Sequence, residues 1–398
     1  MMQNNQKIPE GWSVKKLGET CFFFNGKAHE NCVDENGKYV LINSKFISSN
    51  GQVCKRVNAC LFPLIENDIT IVMSDVPSGK AIAKCFLVNE ADKYTLNQRI
   101  GCLRTKQAIP QYLVNIISRN KYFLKFDDGI NQTNLRKDQI LNCPLLLPPL
   151  PEQEKIAGIL GTWDEAIEKL SNLIEQKKLL KKGLMQKLLT GKTRLPGFTQ
   201  PWKEVAIQDF CNIKRGGSPR PIENYLTSSD DGLNWLKIGD ISPDAKYIYK
   251  TESKIKKDGV SKTTLVHSDD FILSNSMSFG RPYIMKIDAC IHDGWLALTS
   301  IKKDVSKEFL FYLLSFSETQ KKFNICAAGS GVRNLNKDIV GEVKIQLPPY
   351  YEQQAIADVL STADDEINLL NQKLEALKEQ KKGLMQQLLT GQIRVKVN

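Results

Sequence analysis

Histidine is scarce in this chain of 398 residues, and the cysteines are scattered. The three histidines, His29, His267 and His292, lie far apart in sequence, and the ten cysteines include no CxxC pair. Because a zinc site needs clustered Cys or His ligands, we do not expect a histidine-based metal centre or catalytic triad. Scattered cysteines are typical of reduced thiols in the cytoplasm.

Long apolar runs are also missing. No segment approaches the ~18 apolar residues of a membrane span, and we do not expect the polar start MMQNNQKIPE to be a signal peptide. With 41% hydrophobic and 25% charged residues, the composition is typical of a soluble globular protein. The length predicts two or more domains, each with its own core.

Positive charge is in excess, with a formal net charge of +11. This excess favours a polyanionic partner such as nucleic acid, because Lys and Arg near phosphates displace counterions. A basic protein without such a partner is the alternative.

One segment occurs twice. It reads LPPLPEQEKIAGILGTWDEAIEKLSNLIEQKKLLKKGLMQKLLTG at residues 147–191 and returns at residues 347–391, with 24 of 45 positions identical and no gap. Chance does not produce such a match, so the sequence predicts two tandem copies of one unit, each ending in this segment.

Each copy predicts a helix about 58 Å long at ~1.5 Å per residue. Its apolar side chains alternate three and four residues apart, which is the spacing of a coiled-coil seam, although Lys177, Lys181 and Lys381 interrupt it. We predict that the two helices pair with each other, and an amphipathic helix in a globular core is the alternative. The predicted helix-pairing residues are Ile156, Leu160, Trp163, Ile167, Leu170, Ile174, Leu184, Leu188, Ile356, Leu360, Ile367, Leu370, Leu374, Leu377, Leu384 and Leu388.

Two variable segments precede these helices. In residues 1–146 we predict strands at Tyr39–Asn43 and Asp68–Met73 and a helix at Ile109–Arg119. In residues 196–346 the corresponding predictions are strands at Asn234–Ile241 and Asp270–Ser274 and a helix at Lys307–Leu314.

The ends of the two variable segments align at the same 200-residue offset. Asn134 and Asn334 are predicted there as helix N-caps. Gly79-Lys80 matches Gly280-Arg281 in type. A shared framework with divergent loops is suited to the recognition of two different targets.

Three stretches imitate catalytic motifs. Leu347-Pro-Pro-Tyr350 resembles a methyltransferase motif, but its leucine lacks the polar group that binds the target amino group. Gly191-Lys192-Thr193 lacks the earlier glycine of a P-loop and follows a helix. Pro243-Asp244 with Glu252-Ser253-Lys254 has the spacing of a nuclease core, but the first unit has no equivalent. Binding features remain, such as the glycine-rich loop Lys214–Pro221, whose N–H groups can hold a phosphate.

The repeated block LPPxxEQxxIAxxL…KKGLMQxLLTG resembles the conserved regions of the specificity (S) subunit of type I restriction-modification systems. A weaker mark is GGSPRPIENY…GLNWLKIGDI in the second domain. The resemblance implies an α+β fold with two similar α/β target recognition domains, each followed by a long helix, and the helices forming an antiparallel coiled coil. The domain boundaries are then 1–146, 147–195, 196–346 and 347–398.

The resemblance also implies a non-catalytic subunit that binds a bipartite double-stranded DNA site. Each domain would recognise one half-site, and the paired helices would set the spacer and dock two modification (methyltransferase) subunits. S-adenosylmethionine would be bound by those subunits, and ATP and Mg by restriction subunits where present, so that this chain binds no cofactor or metal. The alternatives are a coiled-coil scaffold and a nuclease or methyltransferase fusion with its own activity.

Direct recognition of bases needs Arg or Lys for guanine, Asn or Gln for adenine and acceptors for cytosine. The predicted DNA-binding residues of the first domain are Asn43, Lys45, Ser78, Lys80, Gln98, Arg99, Gln132 and Arg136. Those of the second domain are Lys214, Arg215, Arg220, Lys237, Asp240, Ser278, Arg281, His292 and Arg333.

Overall fold

The computed structural model describes residues 8–77, 79–242, 245–275, 280–328 and 335–397. The chain divides into two units by its internal contacts. Unit 1 comprises residues 1–171 and 372–398, and unit 2 comprises residues 172–371. Each unit therefore contains one globular domain and a part of each long helix.

Unit 1 is built from short strands and helices. Its strands are β1 (Ser13–Lys16), β2 (Cys21–Asn25), β3 (Tyr39–Ile42), β4 (Lys55–Val57), β5 (Ile69–Val72), β6 (Ser74–Asp75), β7 (Cys85–Leu87), β8 (Tyr94–Leu96), β9 (Ile100–Thr105), β10 (Thr133–Asn134) and β11 (Pro144–Leu147). Its helices are α1 (Leu17–Thr20), α2 (Ser44–Ser48), α3 (Pro110–Ile117), α4 (Lys121–Leu124) and α5 (Lys137–Leu141), and α6 (Leu150–Leu188) begins in this unit.

The domain of unit 1 contains a four-stranded sheet, a three-stranded sheet and two pairs of short strands. The strands are hydrogen-bonded in the orders β2-β9-β5-β7 and β4-β3-β8, and β1 pairs with β11. All four residues of β5 are buried, which explains why this strand is nearly all apolar rather than alternating.

Unit 2 contains β12 (Lys203–Ala206), β13 (Asn212–Arg215), β14 (Leu226–Thr227), β15 (Leu233–Leu236), β16 (Tyr247–Ile248), β17 (Ser253–Ile255), β18 (Thr264–Val266), β19 (Phe271–Ser274), β20 (Pro282–Met285), β21 (Ala289–Ile291), β22 (Trp295–Thr299) and β23 (Lys344–Leu347). Its helices are α7 (Lys307–Ser315), α8 (Ser317–Ala328) and α9 (Lys337–Glu342), and α10 (Tyr350–Leu389) begins here.

The sheets of unit 2 repeat those of unit 1. The order β13-β22-β19-β20 corresponds to β2-β9-β5-β7, and β17-β15-β21 corresponds to β4-β3-β8. The pair β12-β23 likewise corresponds to β1-β11. Tandem duplication therefore extends to the domains, although their sequences have diverged.

Most predicted elements are confirmed within one or two residues, since β3, β5, α3, β19 and α7 lie where their patterns place them. One strand is shorter than predicted. The segment Asn234–Ile241 divides into β15 and a 3₁₀ turn at Ile238–Asp240. The carboxylate of Asp240 accepts a hydrogen bond from the backbone N–H of Lys237 (3.1 Å), which ends the strand.

The predicted N-cap at Asn134 is wrong, because Asn134 lies in β10 and α5 begins three residues later. Asn334 lies outside the described residues. The residue that caps α9 is Asn336, whose Oδ1 accepts from the backbone N–H of Ile339 (2.8 Å).

The long helices run antiparallel within each unit. In unit 1, Lys381 of α10 lies 2.5 Å from Asp164 of α6. In unit 2, Lys181 of α6 pairs with Asp364 of α10. The two pairs are the same contact at the 200-residue offset, so the lysines that interrupt the seam meet carboxylates of the opposite helix.

None of the predicted helix-pairing residues is exposed. The residues near the helix ends also join the domain cores. Ile156, Leu160 and Leu388 pack in the core of unit 1, and Leu188, Ile356 and Leu360 pack in that of unit 2. Within each unit the helices therefore pair with each other, and the residues near their ends are part of the globular core.

Each long helix begins with a buried glutamate held by a tryptophan and an arginine. Glu152 of α6 accepts from Nε1 of Trp12 (3.0 Å) and from Nε and Nη2 of Arg394 (2.7 and 2.8 Å). Glu352 of α10 accepts in the same way from Trp202 (3.2 Å) and Arg194 (2.6 and 2.7 Å). We call each set a glutamate clamp.

The next residue of each helix ties it to the adjacent domain. The side-chain oxygen of Gln153 accepts from the Ile109 N–H (3.1 Å), and its amide donates to the Pro148 carbonyl (2.8 Å). Gln353 accepts from the Ser306 N–H (2.8 Å) and donates to the Pro348 carbonyl (2.9 Å). The repeated Glu-Gln pair of the sequence is thus the junction between helix and domain.

We expect Glu152→Ala to lower the free energy of unfolding by about 2–3 kcal/mol, because hydrogen bonds to a buried charge are lost together. Chemical denaturation followed by circular dichroism measures this change. Glu154→Ala is the matched control, since Glu154 is exposed on the same turn. Equal midpoints for the two variants would show that the clamp does not stabilise the fold.

Candidate nucleic-acid interface

In unit 1 the ends of four strands meet at one edge of the two sheets. The parallel strands β3 and β8 pair Ile42 with Leu96, and the antiparallel strands β5 and β9 pair Val72 with Ile100. The first three of these residues end their strands and Ile100 begins β9, so the loops beyond them come together.

Backbone hydrogen bonds join these loops. The N–H of Asn97 donates to the Ile42 carbonyl (3.1 Å), and the N–H of Met73 donates to the Arg99 carbonyl (3.1 Å). The Leu135 N–H donates to the Met73 carbonyl (2.7 Å), which brings in the loop that precedes α5. We call residues 25–30, 43–45, 73–77, 79–82, 97–99 and 127–137 the unit 1 edge.

The predicted DNA-binding residues of the first domain that the structure describes all lie on this edge, and Ser78 lies outside the described residues. The exposed ones are Lys45, Lys80, Gln98, Arg99, Gln132 and Arg136. Asn43 is half-buried and has a structural role, since its Oδ1 accepts from the Phe46 N–H (2.9 Å) and caps α2. Sequence patterns alone placed these residues, which are far apart along the chain, in one group.

Some side chains on the edge were missed. Lys27 is exposed there, and its N–H donates to the Leu96 carbonyl (2.9 Å). The preceding Gly26 is required, because a Cβ atom at that position would lie 2.0 Å from the Asn97 carbonyl oxygen. Asn25 and Lys137 are also exposed at this edge. The sequence signal that could have identified Lys27 is a glycine followed by a lysine. The Lys214–Pro221 loop likewise combines glycines with basic residues.

Acidic residues of the unit 1 edge turn their carboxylates toward the backbone. Asp75 accepts from the N–H groups of Val76, Ala81 and Ile82 (2.9, 2.7 and 2.9 Å). Hydrogen bonds from the backbone and side chain of Asn131, with a further one from the backbone of Ile130, lower the pKa of Asp128 to about 2. These hydrogen bonds fix the loops of the unit 1 edge, and the lowered pKa keeps Asp128 ionised.

Unit 2 forms the same edge from the corresponding strands. The parallel strands β15 and β21 pair Leu236 with Ile291, and β19 and β22 pair Ser274 with Trp295. The N–H of Asn275 donates to the Gly294 carbonyl (2.9 Å), as that of Met73 does to Arg99 in unit 1. We call residues 214–220, 237–240, 274–275, 280–281 and 292–294 the unit 2 edge.

The predicted residues of the second domain divide into three groups. Those that are exposed on the unit 2 edge are Lys214, Arg215, Arg220 and Arg281, whereas Lys237, Asp240 and His292 are half-buried there. Ser278 and Arg333 lie outside the described residues. The side chain of Asp240 is only 2% exposed, and its carboxylate is engaged by Lys237, so it has an internal role.

Asp293 lies at the centre of the unit 2 edge. Its carboxylate accepts from the Ser218 hydroxyl (3.0 Å) and lies 2.9 Å from Nδ1 of His292 and 3.6 Å from Nη2 of Arg220. These residues, with Trp235 among others, line a cleft of about 1000 Å³. The edge therefore combines a positive rim with directional donors, which is the combination that base recognition requires.

The match of Gly79-Lys80 with Gly280-Arg281 is wrong in register. The Val72 N–H donates to the Lys84 carbonyl, and the equivalent Ser274 N–H donates to Arg281. Ala83 and Gly280 both have positive φ, of 56° and 71°. The structural partners of Gly280 and Arg281 are therefore Ala83 and Lys84, and this loop is longer in unit 1.

Within the described residues there is no cluster of three or more His, Cys, Asp or Glu side chains that could hold a metal ion. In the same part of the chain, no helix has the length and apolar character needed to cross a membrane. Asp244 of the nuclease-like motif lies outside the described residues.

Two stretches of the chain, residues 9–176 and 199–379, match the type I restriction modification DNA specificity domain. The chain belongs to this family. As a type I specificity subunit it is a DNA-recognition protein and not an enzyme, and the scaffold and fused-enzyme alternatives are not favoured. Each matched stretch contains one of the two edges followed by the greater part of a long helix.

Curated relatives have the same description. The putative type I restriction enzyme MjaX specificity subunit of Methanocaldococcus jannaschii is 28% identical over 98% of this chain and 95% of the relative. The MjaVIII specificity subunit of the same organism is 27% identical, with the same shares covered.

Solved structures support the fold. The S subunit of a type I restriction-modification system from M. genitalium matches with a TM-score of 0.62 and 16% identity, over 98% of this chain and 97% of that one. A chain from a study of complex assembly and conformational transition in a type I R-M system matches with a TM-score of 0.59 and 18% identity, over 97% and 100%. At this identity the likeness concerns the α+β fold, with two recognition domains and antiparallel long helices.

For this specificity subunit we expect Lys27→Ala to weaken binding to all DNA sequences alike. The slope of log K against log salt concentration should fall by about 1, because one phosphate contact is removed. Fluorescence anisotropy at several salt concentrations measures the slope.

Lys38→Ala is the matched control, because Lys38 is exposed just before β3, at the opposite end of that strand from the edge. Equal slopes for the two variants and the parent would show that Lys27 contacts no phosphate.

Proposed function

We propose that the chain recognises a bipartite double-stranded DNA site, with one half-site bound by the unit 1 edge and the other by the unit 2 edge. In this proposal the paired helices set the spacer and dock two modification subunits. Those subunits carry S-adenosylmethionine, and restriction subunits, where present, bring ATP and Mg. The chain acts in the cytoplasm, where free thiols like its ten cysteines persist.

The main support for this proposal is that the unit 1 edge and the unit 2 edge are formed by equivalent strands but have different side chains. Equivalent strands bring Asn97 to the unit 1 edge and His292 to the unit 2 edge. Because an amide and an imidazole present different hydrogen-bonding groups, one framework with exchanged side chains supports two different half-sites. Basic residues on both edges supply the sequence-independent part of the affinity.

The docking proposal is supported by exposed leucines on the helices in unit 2. Leu173, Leu179 and Leu180 of α6 and Leu369 of α10 are 38%, 68%, 58% and 66% exposed. The ion pair between Lys177 and Glu366 (2.6 Å) places Leu173 and Leu369 near each other. Leu173 lies one turn before Lys177, and Leu369 lies one turn after Glu366. Because the helices are antiparallel, both leucines lie on the same side of this ion pair.

The sequence repeat provides an internal comparison for these leucines. At the 200-residue offset, the unit 1 counterparts of the leucines are Lys373, Glu379, Gln380 and Lys169, and all are exposed. Exposed leucines in one copy of a repeat, where the other copy has polar residues, suit a contact with another protein. We therefore expect the two modification subunits to bind with unequal affinity, and more tightly at the helix segments of unit 2.

A change confined to one half of the modified motif tests the two-edge proposal. We expect Lys237→Ala, expressed with its modification subunits, to alter the methylated sequence in one half-site and leave the other half-site and the spacer unchanged. Sequencing of methylated adenines in host DNA reports both half-sites and the spacer at once.

The control is Lys303→Ala, because Lys303 is exposed beyond the far end of β22. A change in both half-sites with Lys237→Ala, or a motif that is not bipartite, would contradict the assignment of one edge to each half-site.

For the docking surface we expect the variant Leu173→Lys, Leu179→Glu, Leu180→Gln and Leu369→Lys to lose one of two modification subunits. A buried leucine contributes about 1.5–3 kcal/mol, so the dissociation constant at this face should rise by about 100-fold or more. Mass photometry of the complex as a function of concentration measures the stoichiometry.

These replacements are taken from the chain's own repeat, so helices containing them are already compatible with this fold. Leu226→Lys is the control, since Leu226 is an exposed leucine (41%) of the recognition domain. An unchanged two-to-one complex with the fourfold variant would rule out this patch as a docking surface.

A further inference from the structure

Two exposed apolar side chains stand among the polar residues of the unit 1 edge. Ile130 is 79% exposed and Val76 is 65% exposed. Single exposed apolar residues are common on protein surfaces, so exposure alone implies nothing. Their place on the edge and the way in which their loops are held supply the further observations.

The ladder between β6 and β10 brings the two residues to the same end. It pairs Asp75 with Thr133 in antiparallel register. Val76, which follows Asp75, and Gln132, which precedes Thr133, therefore lie at the same end of the ladder. The amide nitrogen of Gln132 donates to the Ser74 hydroxyl (2.7 Å) on the opposite strand of the ladder. Ile130 lies two residues before Gln132, at the tip of the same loop.

Both loops are fixed through the backbone of the apolar residue itself. The Val76 N–H donates to Oδ1 of Asp75 (2.9 Å), and the Ile130 N–H donates to Oδ1 of Asp128 (2.9 Å). Asp128 also accepts from the backbone N–H and the side-chain amide of Asn131 (2.9 and 3.0 Å). The side chains are thus presented on ordered turns, and little conformational entropy is lost when they make a contact.

The neighbouring groups indicate which ligand suits these side chains. Gln132 and Arg99 are hydrogen-bonding groups suited to base edges, and Arg136 follows on the same loop. In the major groove the thymine C5-methyl is the apolar group that a base pair presents, and an amide pairs with adenine. An exposed isoleucine on this edge therefore matches the methyl group of an A·T pair.

We infer that Ile130, assisted by Val76, contacts a thymine methyl group in the half-site recognised by unit 1. Ile130 is then a specificity-determining residue of this edge. The inference rests on the proposed function, because it requires DNA to lie against the unit 1 edge.

Replacement of thymine by deoxyuridine tests the contact, since it removes the methyl and keeps every hydrogen-bonding group. The full complex is titrated with duplexes in which each thymine of the unit 1 half-site is replaced singly. For the parent protein we expect about a four-fold loss of affinity at one thymine or at two adjacent ones, the factor for one buried methyl group. With Ile130→Ala, the affinity for the natural duplex should fall by a similar factor. Deoxyuridine at that position should then cause no further loss of affinity. Val76→Ala should show a smaller effect of the same kind.

Ile65→Ala is the matched control. Ile65 is 47% exposed, and its N–H donates to a carboxylate in the same way, to Oδ2 of Asp68 (3.0 Å). It precedes β5 and therefore lies at the opposite end of that strand from the unit 1 edge. We expect this variant to keep the deoxyuridine sensitivity of the parent.

The outcomes separate this inference from the proposed function. Failure of the parent complex to bind a bipartite duplex would overturn the proposed function and the inference with it. Normal binding with no deoxyuridine effect, or a unit 1 half-site without an A·T pair, would overturn the inference alone. A deoxyuridine effect that persists unchanged in Ile130→Ala would also overturn it. A 2-aminopurine base in the half-site provides one further test. If its fluorescence rises when the parent binds but not when Ile130→Ala binds, Ile130 is a wedge between base pairs and the inference is overturned.

Discussion

Each long helix begins with a buried glutamate whose carboxylate is held by a tryptophan and an arginine, and the remaining architecture depends on this contact. A carboxylate in the first turn suits the positive end of the helix dipole. The arginine that binds Glu152 follows the other long helix, because Arg394 lies beyond the end of α10. The clamp therefore connects the start of one helix to the end of its antiparallel partner, and Arg194 and Glu352 make the equivalent connection. The hydrogen bonds of the carboxylates raise the pKa of both arginines above the usual value.

The framework that the clamps hold together allows the edges to diverge. Strand pairing fixes where the loops emerge through backbone groups, and backbone hydrogen bonds are nearly independent of side-chain identity. The two domains thus share topology while Lys27 of one corresponds to Gly217 of the other, since Lys27 donates its N–H to the last residue of β8 and Gly217 donates to the last residue of the equivalent β21. Divergence at such positions changes the bases that can be contacted without altering the fold.

Charge is arranged differently on the helices and on the edges. On the helices, seam lysines such as Lys181 meet carboxylates of the opposite helix, a pattern that specifies register more than stability. On the unit 1 edge, carboxylates such as that of Asp75 are directed to backbone N–H groups, and the lysine and arginine side chains remain exposed. The net positive charge of the chain is thereby available to a polyanion at the loops.

The sequence by itself determined the tandem repeat, the long helices, their pairing and four central strands of the domains, because these depend on periodicity and on local turn residues. It also selected most of the exposed polar residues that gather on the edges, since loop residues of the right chemistry are recognisable without a fold. The tertiary structure alone decided what depends on register. Lys84, and not Lys80, is the counterpart of Arg281, because loop lengths differ between strands that pair identically. Asn43 caps a helix and Asp240 is engaged by its neighbour, because hydrogen-bond partners are set by backbone position and not by residue type. Lys27 reaches the edge only because β2 pairs with β9, a contact between residues far apart in the chain, which no local pattern encodes.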